Sequence, residues 1–244
     1  MTELNARPVL LIVHGALGSG AQMEPVAAAC RASAAFASVD VLELPGHGST
    51  PLDASGAFTM SAFAEVIRTR VASHGAHLVV VFGYSMGGYA ALLAEATHPG
   101  LCAGIVTLGT MVTWTPEVAE GGARRLNVEG IRTKVPAFAE ALSLRHANGG
   151  GWELTLERTA TLLRSLGAAP PLTPDVYARV RTPVLLMVGS RDDSVTLAEA
   201  ETVAQQLGRA EAVGLDDVPH PIEKVPLDVL VSRLTGFVSS LTRE

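Results

Sequence analysis

The sequence predicts an α/β fold: a mostly parallel sheet of about six strands, helices on both faces, and a helical cap inserted after the fourth strand. Three observations carry this. Short apolar, β-branched runs recur at 9–14, 38–44, 78–83, 104–108, 183–189 and 210–215. Ala-rich stretches of helical periodicity separate them, at 21–34, 60–73, 87–97, 197–207 and 227–241. Between 111 and 180 the alternation stops and only helical patterns remain.

Each element has a local reason. The strand runs are apolar on both faces, as buried parallel strands require. The helix 87–97 is stopped by His98-Pro99-Gly100. Within the break, 135–145 and 151–166 read as helices joined at Asn148-Gly149-Gly150-Gly151 and left through Pro170-Pro171. The expected organisation is a core of 1–110 and 180–244 with a cap or lid at 111–179. Seven residues precede Pro8, too few for a leading strand hairpin, so six strands are expected.

Composition narrows the function classes. With 48% hydrophobic and 17% charged residues, the chain is an ordinary globular protein of apolar bias. A net charge of -6, with scattered arginines, leaves no basic stripe for nucleic acid or an anionic membrane. No run reaches the ~18 to 20 apolar residues of a membrane span. The first eight residues lack the charged start, apolar stretch and cleavage site of a signal peptide. Cys30 and Cys102 are expected as reduced, buried thiols, which suits a cytoplasmic location. Composition carries no signal for an oligomeric state.

The chemistry centres on Gly83-Tyr84-Ser85-Met86-Gly87-Gly88, where an apolar strand runs directly into a helix. A serine becomes nucleophilic when a sharp turn exposes it, a base lies in reach, and donors await the developing oxyanion. Gly83 and Gly87 permit the turn at Ser85. The strand 183–189 ends in Ser190-Arg191-Asp192-Asp193, and the strand 210–215 leads to Val218-Pro219-His220-Pro221. His220 is the expected base and Asp192 the expected orienting acid, with Asp193 its close rival and Asp216 and Asp217 weaker ones. The N–H of Met86 is the first expected oxyanion donor. The second is Ala16 N–H, or Leu17 N–H, in the loop His14-Gly15-Ala16-Leu17-Gly18-Ser19-Gly20.

These residues together resemble the capped members of the α/β-hydrolase family. The resemblance rests on His14-Gly15, Leu44-Pro45-Gly46-His47-Gly48, the turn at 83–88, Gly189-x-x-Asp192 and the late His220, and spans 8–110 and 180–241. It implies the family's fold, the Ser85-Asp192-His220 triad, and acyl transfer through an acyl-enzyme. A small to medium, largely apolar carboxylic ester is the expected substrate, without a cofactor. The same triad serves carbon–carbon bond hydrolases, lyases, perhydrolases and, in another class, small-molecule receptors. The family's menaquinone-pathway lyases carry arginine just after the elbow glycines, where this chain has Tyr89.

Leu17, Tyr84, Met111, Trp114 and Trp152 are expected to line the substrate pocket. Phe138, Leu142, Leu144 and Trp152 suit either the pocket roof or the cap's own core, and Arg124, Arg125 and Arg132 could grip an acid. His14 and His47 read as structural and His98 as a helix end; His74, His77 and His146 read as solvated. No histidine pair has metal-ligand spacing, so no metal is expected. The loop Gly15-x-x-Gly18-x-Gly20 lacks both nucleotide-binding patterns, so no dinucleotide is expected either.

Overall fold

A computed structural model describes residues 7–52 and 56–241. Most of the N-terminal stretch read above for targeting, residues 1–6, lies outside the described residues. Six strands form one sheet: β1 (Val9–Val13), β2 (Ser38–Leu42), β3 (Val79–Tyr84), β4 (Gly104–Leu108), β5 (Val184–Arg191) and β6 (Ala210–Pro219). Their order is β2-β1-β3-β4-β5-β6 and every pair is parallel. All the carboxyl ends therefore point to one edge, where open α/β sheets bind ligands.

Side-chain alternation splits the core in two. Leu10, Ile12, Val80, Phe82, Val106 and Leu108 face α1 (Gly20–Ala32) and α10 (Leu227–Leu241). Val9, Leu11, Val13, Val79, Val81 and Ile105 face α2 (Met60–Ser73) and α3 (Met86–Thr97) on the other side. Cys30 lies in the first layer and Cys102 in the second; both are free and buried. Hydroxyl caps start several helices: Ser19 accepts from Gln22 N–H and Thr59 from Ala62 N–H. Ser85 occupies the same position before α3 but its side chain makes no cap bond.

Five helices connect β4 to β5: α4 (Pro116–Arg125), α5 (Val128–Lys134), α6 (Pro136–Arg145), α7 (Trp152–Ala168) and α8 (Pro174–Tyr177). Only α6 and α7 match sequence expectations. α4 contains Gly121-Gly122, which weakens its helical pattern, yet Thr115 caps it by accepting from Val118 N–H. Gly122 serves packing, since a Cβ there would lie 3.1 Å from Leu163 of α7. Asn127 caps α5 through Gly130 N–H. The helix α9 (Leu197–Ala204) precedes β6 and carries a capping box between Thr196 and Glu199.

β6 runs four residues beyond its expected end at Leu215. Asp216 and Asp217 read as loop because they are charged; both lie exposed on this edge strand, where solvent takes the charge. A register shift between Gly189 and Arg191 bends the β5–β6 pair just before the site. No helix of the described residues is long and apolar enough to cross a membrane.

Gly83 is a tight point of the sheet-to-helix junction, because a Cβ there would collide with the Gly88 backbone. Gly83→Ala is expected to destabilise the fold by about 2 to 3 kcal/mol, as overpacking against rigid backbone does. Urea unfolding of the two proteins measures this; equal midpoints would contradict it.

Candidate active site

β3 ends at Tyr84 and α3 begins at Met86, so Ser85 alone turns the chain. Its φ of 49° and ψ of -116° lie in a region non-glycine residues rarely visit. Such strain persists only where neighbours over-determine it. Here Ser85 N–H donates to Leu108 C=O at 2.8 Å, and the Thr110 hydroxyl donates to Ser85 C=O at 2.9 Å. A Cβ on Gly87 would stand 2.6 Å from the Val13 and His14 carbonyl oxygens, and one on Gly88 would strike the Thr110 hydroxyl. The turn leaves no room for any larger residue at these positions.

Asp192 follows β5 and His220 follows β6. His220 Nδ1 lies 2.7 Å from Asp192 Oδ2. A carboxylate can only accept, so Nδ1 carries the proton and Nε2 is the basic nitrogen of the neutral ring. Asp192 Oδ1 accepts from the Ser194 and Val195 N–H groups at 2.9 and 3.1 Å, and the side chain is only 2% exposed. Asp193 is exposed and accepts from the Ser194 hydroxyl instead, while Asp217 pairs with Arg191 at 3.1 Å. Gly109, at φ +60°, packs on the pair: a Cβ there would lie 3.0 Å from Asp192 Oδ2 and 3.1 Å from His220 Nδ1. Ser85 and His220 line the same cavity. Among the described residues no hydrogen bond joins Ser85 Oγ to the ring; in ligand-free enzymes such contacts are often long.

The loop after β1 turns at Leu17, whose φ is +57°, with Gly18 N–H donating to Gly15 C=O at 3.1 Å. Ala16, Leu17 and Met86 all line the cavity beside Ser85. Among the described residues the N–H groups of Ala16 and Met86 have no acceptor.

The cavity has a volume of about 700 Å³. Met86, Tyr89, Met111 and Trp114 line it from the sheet side. Val118, Gly121, Gly122 and Arg125 of α4, and Thr159 and Leu163 of α7, line it from above. Two expected lining residues are elsewhere. The Tyr84 hydroxyl donates to His220 C=O at 3.0 Å, so its ring braces the His220 loop from behind. Trp152 packs with Leu17, Ile131, Ala139, Leu142 and Leu156 in a small core of its own. Leu142 belongs to that core as well, whereas Phe138 and Leu144 are 43% and 76% exposed and roof nothing. Among the arginines, Arg124 pairs with Glu120 and Arg132 with Glu153, leaving only Arg125 on the cavity. Tyr89, read from sequence only as the residue at the lyases' arginine position, is not expected as lining because it sits one helical turn beyond Ser85 in a run that looks like plain core. Among the described residues no group of three or more His, Cys, Asp or Glu is arranged to hold a metal ion.

A family model described as the alpha/beta hydrolase fold matches residues 8–149. The chain belongs to the α/β-hydrolase family. It is 31% identical to a pimeloyl-[acyl-carrier protein] methyl ester esterase of Aromatoleum aromaticum, over 92% of this chain and 96% of that protein. A 2-succinyl-6-hydroxy-2,4-cyclohexadiene-1-carboxylate synthase of Photorhabdus laumondii is 26% identical over 98% of this chain and 88% of the relative. The fold also matches a thermophilic esterase from Thermogutta terrifontis, with a TM-score of 0.73, 20% identity, and 97% and 91% of the two chains covered. The protein is accordingly an α/β-hydrolase with esterase relatives.

In this α/β-hydrolase three buried histidines flank the site. His14 accepts from Leu44 N–H at its Nε2 (3.0 Å) and lies 2.8 Å from Gly15 C=O through Nδ1. Its ring stands 4.9 Å from that of His47, and His47 stands 6.1 Å from His146. His146, expected in solvent, is fully buried because it joins two loops of the core: Nδ1 accepts from Gly48 N–H at 2.9 Å, and Nε2 lies 3.1 Å from Leu17 C=O. His74, also expected in solvent, is mostly buried with Nε2 3.0 Å from Asp40.

Burial holds His14 down at about 4 and pushes His47 and His146 below the ordinary imidazole value. The folded rings are neutral where unfolded ones bind protons, so stability is full above pH ~6.5 and falls as pH drops toward 4. For His14 alone the loss reaches about 3 kcal/mol at the acid end. Urea midpoints measured from pH 7.5 to 4.5 should fall steadily; a flat profile would refute neutral burial.

Proposed function

We propose that the protein is a serine esterase in which Ser85 attacks the ester carbonyl, His220 takes its proton, and Asp192 holds the imidazole. The Met86 and Ala16 N–H groups receive the oxyanion. An acyl-enzyme forms, and water activated by His220 hydrolyses it. The observation that carries this reading is the Asp192–His220 pair. A nearly fully buried carboxylate has one oxygen held by two backbone N–H groups and the other on the imidazole, beside a strained, uncapped serine.

Residues 111–179 act as the cap over this site, and 1–110 with 180–244 as the catalytic core. The lining of Met86, Met111, Trp114, Val118 and Leu163 favours a small to medium, largely apolar acyl group over a charged one. Lyase chemistry is disfavoured by Tyr89, whose hydroxyl already accepts from Leu172 N–H where the family's lyases carry arginine. Two buried free thiols suit a reducing, cytoplasmic setting, with a small molecule as the partner.

A fluorophosphonate probe should label the wild-type protein and not Ser85→Ala. Turnover of p-nitrophenyl esters should fall at least ten-thousand-fold in Ser85→Ala. Asp192→Asn should cost about ten-thousand-fold in kcat, because the amide favours the wrong imidazole tautomer. Asp193→Asn should stay within a few-fold of wild type. No labelling and no turnover by the wild-type protein would overturn the esterase reading; a larger loss at Asp193 would reassign the acid.

A further inference from the structure

The Leu17 carbonyl is gripped twice from the cap. Arg145 Nη1 donates to it at 2.9 Å and His146 Nε2 at 3.1 Å, both from the end of α6. His146 Nδ1 accepts from Gly48 N–H, so one ring joins the loop after β1 to the loop after β2. Behind it a Cβ on Gly149 would come within 2.5 Å of Gly48 C=O, so the chain leaving α6 is pressed onto the same loop. Arg145 also reaches Glu223 Oε1 at 3.4 Å, and that oxygen accepts from Gln22 Nε2 at 2.7 Å. Glu223 lies three residues past His220. One arginine therefore ties the loop bearing Ala16 to the segment bearing the base.

Leu17 needs this grip. A left-handed non-glycine residue costs of order 1 to 2 kcal/mol, and the loop's own bonds, from Gly18 N–H and His14 Nδ1, go to Gly15 C=O and not to Leu17. The cap adds two hydrogen bonds to the carbonyl and buries the Leu17 side chain against Ile131, Leu142, Trp152 and Leu156. The backbone angles at Leu17 fix the peptide that carries the Leu17 N–H relative to the gripped carbonyl, and that peptide is joined through the Ala16 Cα to the one that carries the Ala16 N–H.

We propose that Arg145 and His146 are positioning residues that hold the oxyanion loop through Leu17, which makes the cap part of the catalytic apparatus as well as a cover. This rests on the esterase reading for the role of Ala16, but the grip itself can be tested without turnover.

The experiment uses the full-length protein with His146→Leu, His146→Gln and Arg145→Met. For p-nitrophenyl butyrate, His146→Leu should lower kcat about ten- to a hundred-fold, below the cost of deleting an oxyanion donor outright, with KM within about threefold. His146→Gln keeps a donor and an acceptor and should recover most of the loss. Arg145→Met, which disturbs no buried ring, should lower kcat several-fold, again at constant KM. Amide hydrogen exchange of a peptide spanning 15–18 should accelerate in His146→Leu and Arg145→Met, while a peptide spanning 83–88 keeps its wild-type rate. Wild-type exchange at 15–18 in both variants would overturn the inference. So would a kcat loss that merely tracks melting temperature, or one that His146→Gln does not relieve. A wild-type protein with no turnover would sink the esterase reading, leaving the exchange rates to decide the grip.

Discussion

Everything at this site depends on one unfavourable backbone conformation, that of Ser85. A serine before a helix ordinarily folds its hydroxyl back onto the first turn, and here the dihedral angles prevent it. The chain is forced into that geometry from several directions. Leu108 C=O takes the serine N–H, the Thr110 hydroxyl takes the serine carbonyl, and β1 carbonyls press on Gly87. The parallel sheet order makes this possible, because it sets β1 and β4 on either side of β3 with their ends level. Strain at one residue is thus maintained by the register of three strands.

Asp192 and His220 stand in contrast, since neither has a left-handed backbone. Asp192 has all its contacts made by groups within a few residues or by His220. Tyr84 couples the two halves: it precedes Ser85, yet its hydroxyl donates to the His220 carbonyl. Burial pushes that phenol far above its ordinary value, so it stays a neutral donor. A change in the position of β3 is therefore felt at Ser85 and His220 together.

What could be read from sequence follows from the range of the interactions. The turn at 83–88, Asp192 after the fifth strand and His220 after the sixth are local patterns of residue type against strand ends, and the structure sets Asp192 on the His220 ring and His220 on the same cavity as Ser85. The segment 111–179 is governed by contacts at long sequence separation. His146 looks like a surface histidine after a helix until Gly48 and Leu17, about a hundred residues away, close over it. Trp152 looks like pocket lining because aromatic residues often are, but an apolar side chain from the core loop, Leu17, draws it into a separate cluster. Tyr84 was mistaken for lining because the two-residue alternation that aims it away from the cavity is lost at the turn.

Gly121 stands apart from the tight glycines. It lines the cavity from α4, and a Cβ there would meet nothing within 4 Å. Glycine inside a helix costs about 1 kcal/mol relative to alanine, so most replacements at this position strengthen the helix while taking up cavity space. Cavity volume and helix stability then change in opposite senses at this one position. A smaller cavity here comes with a firmer helix, and restoring the space is the direction that carries a cost.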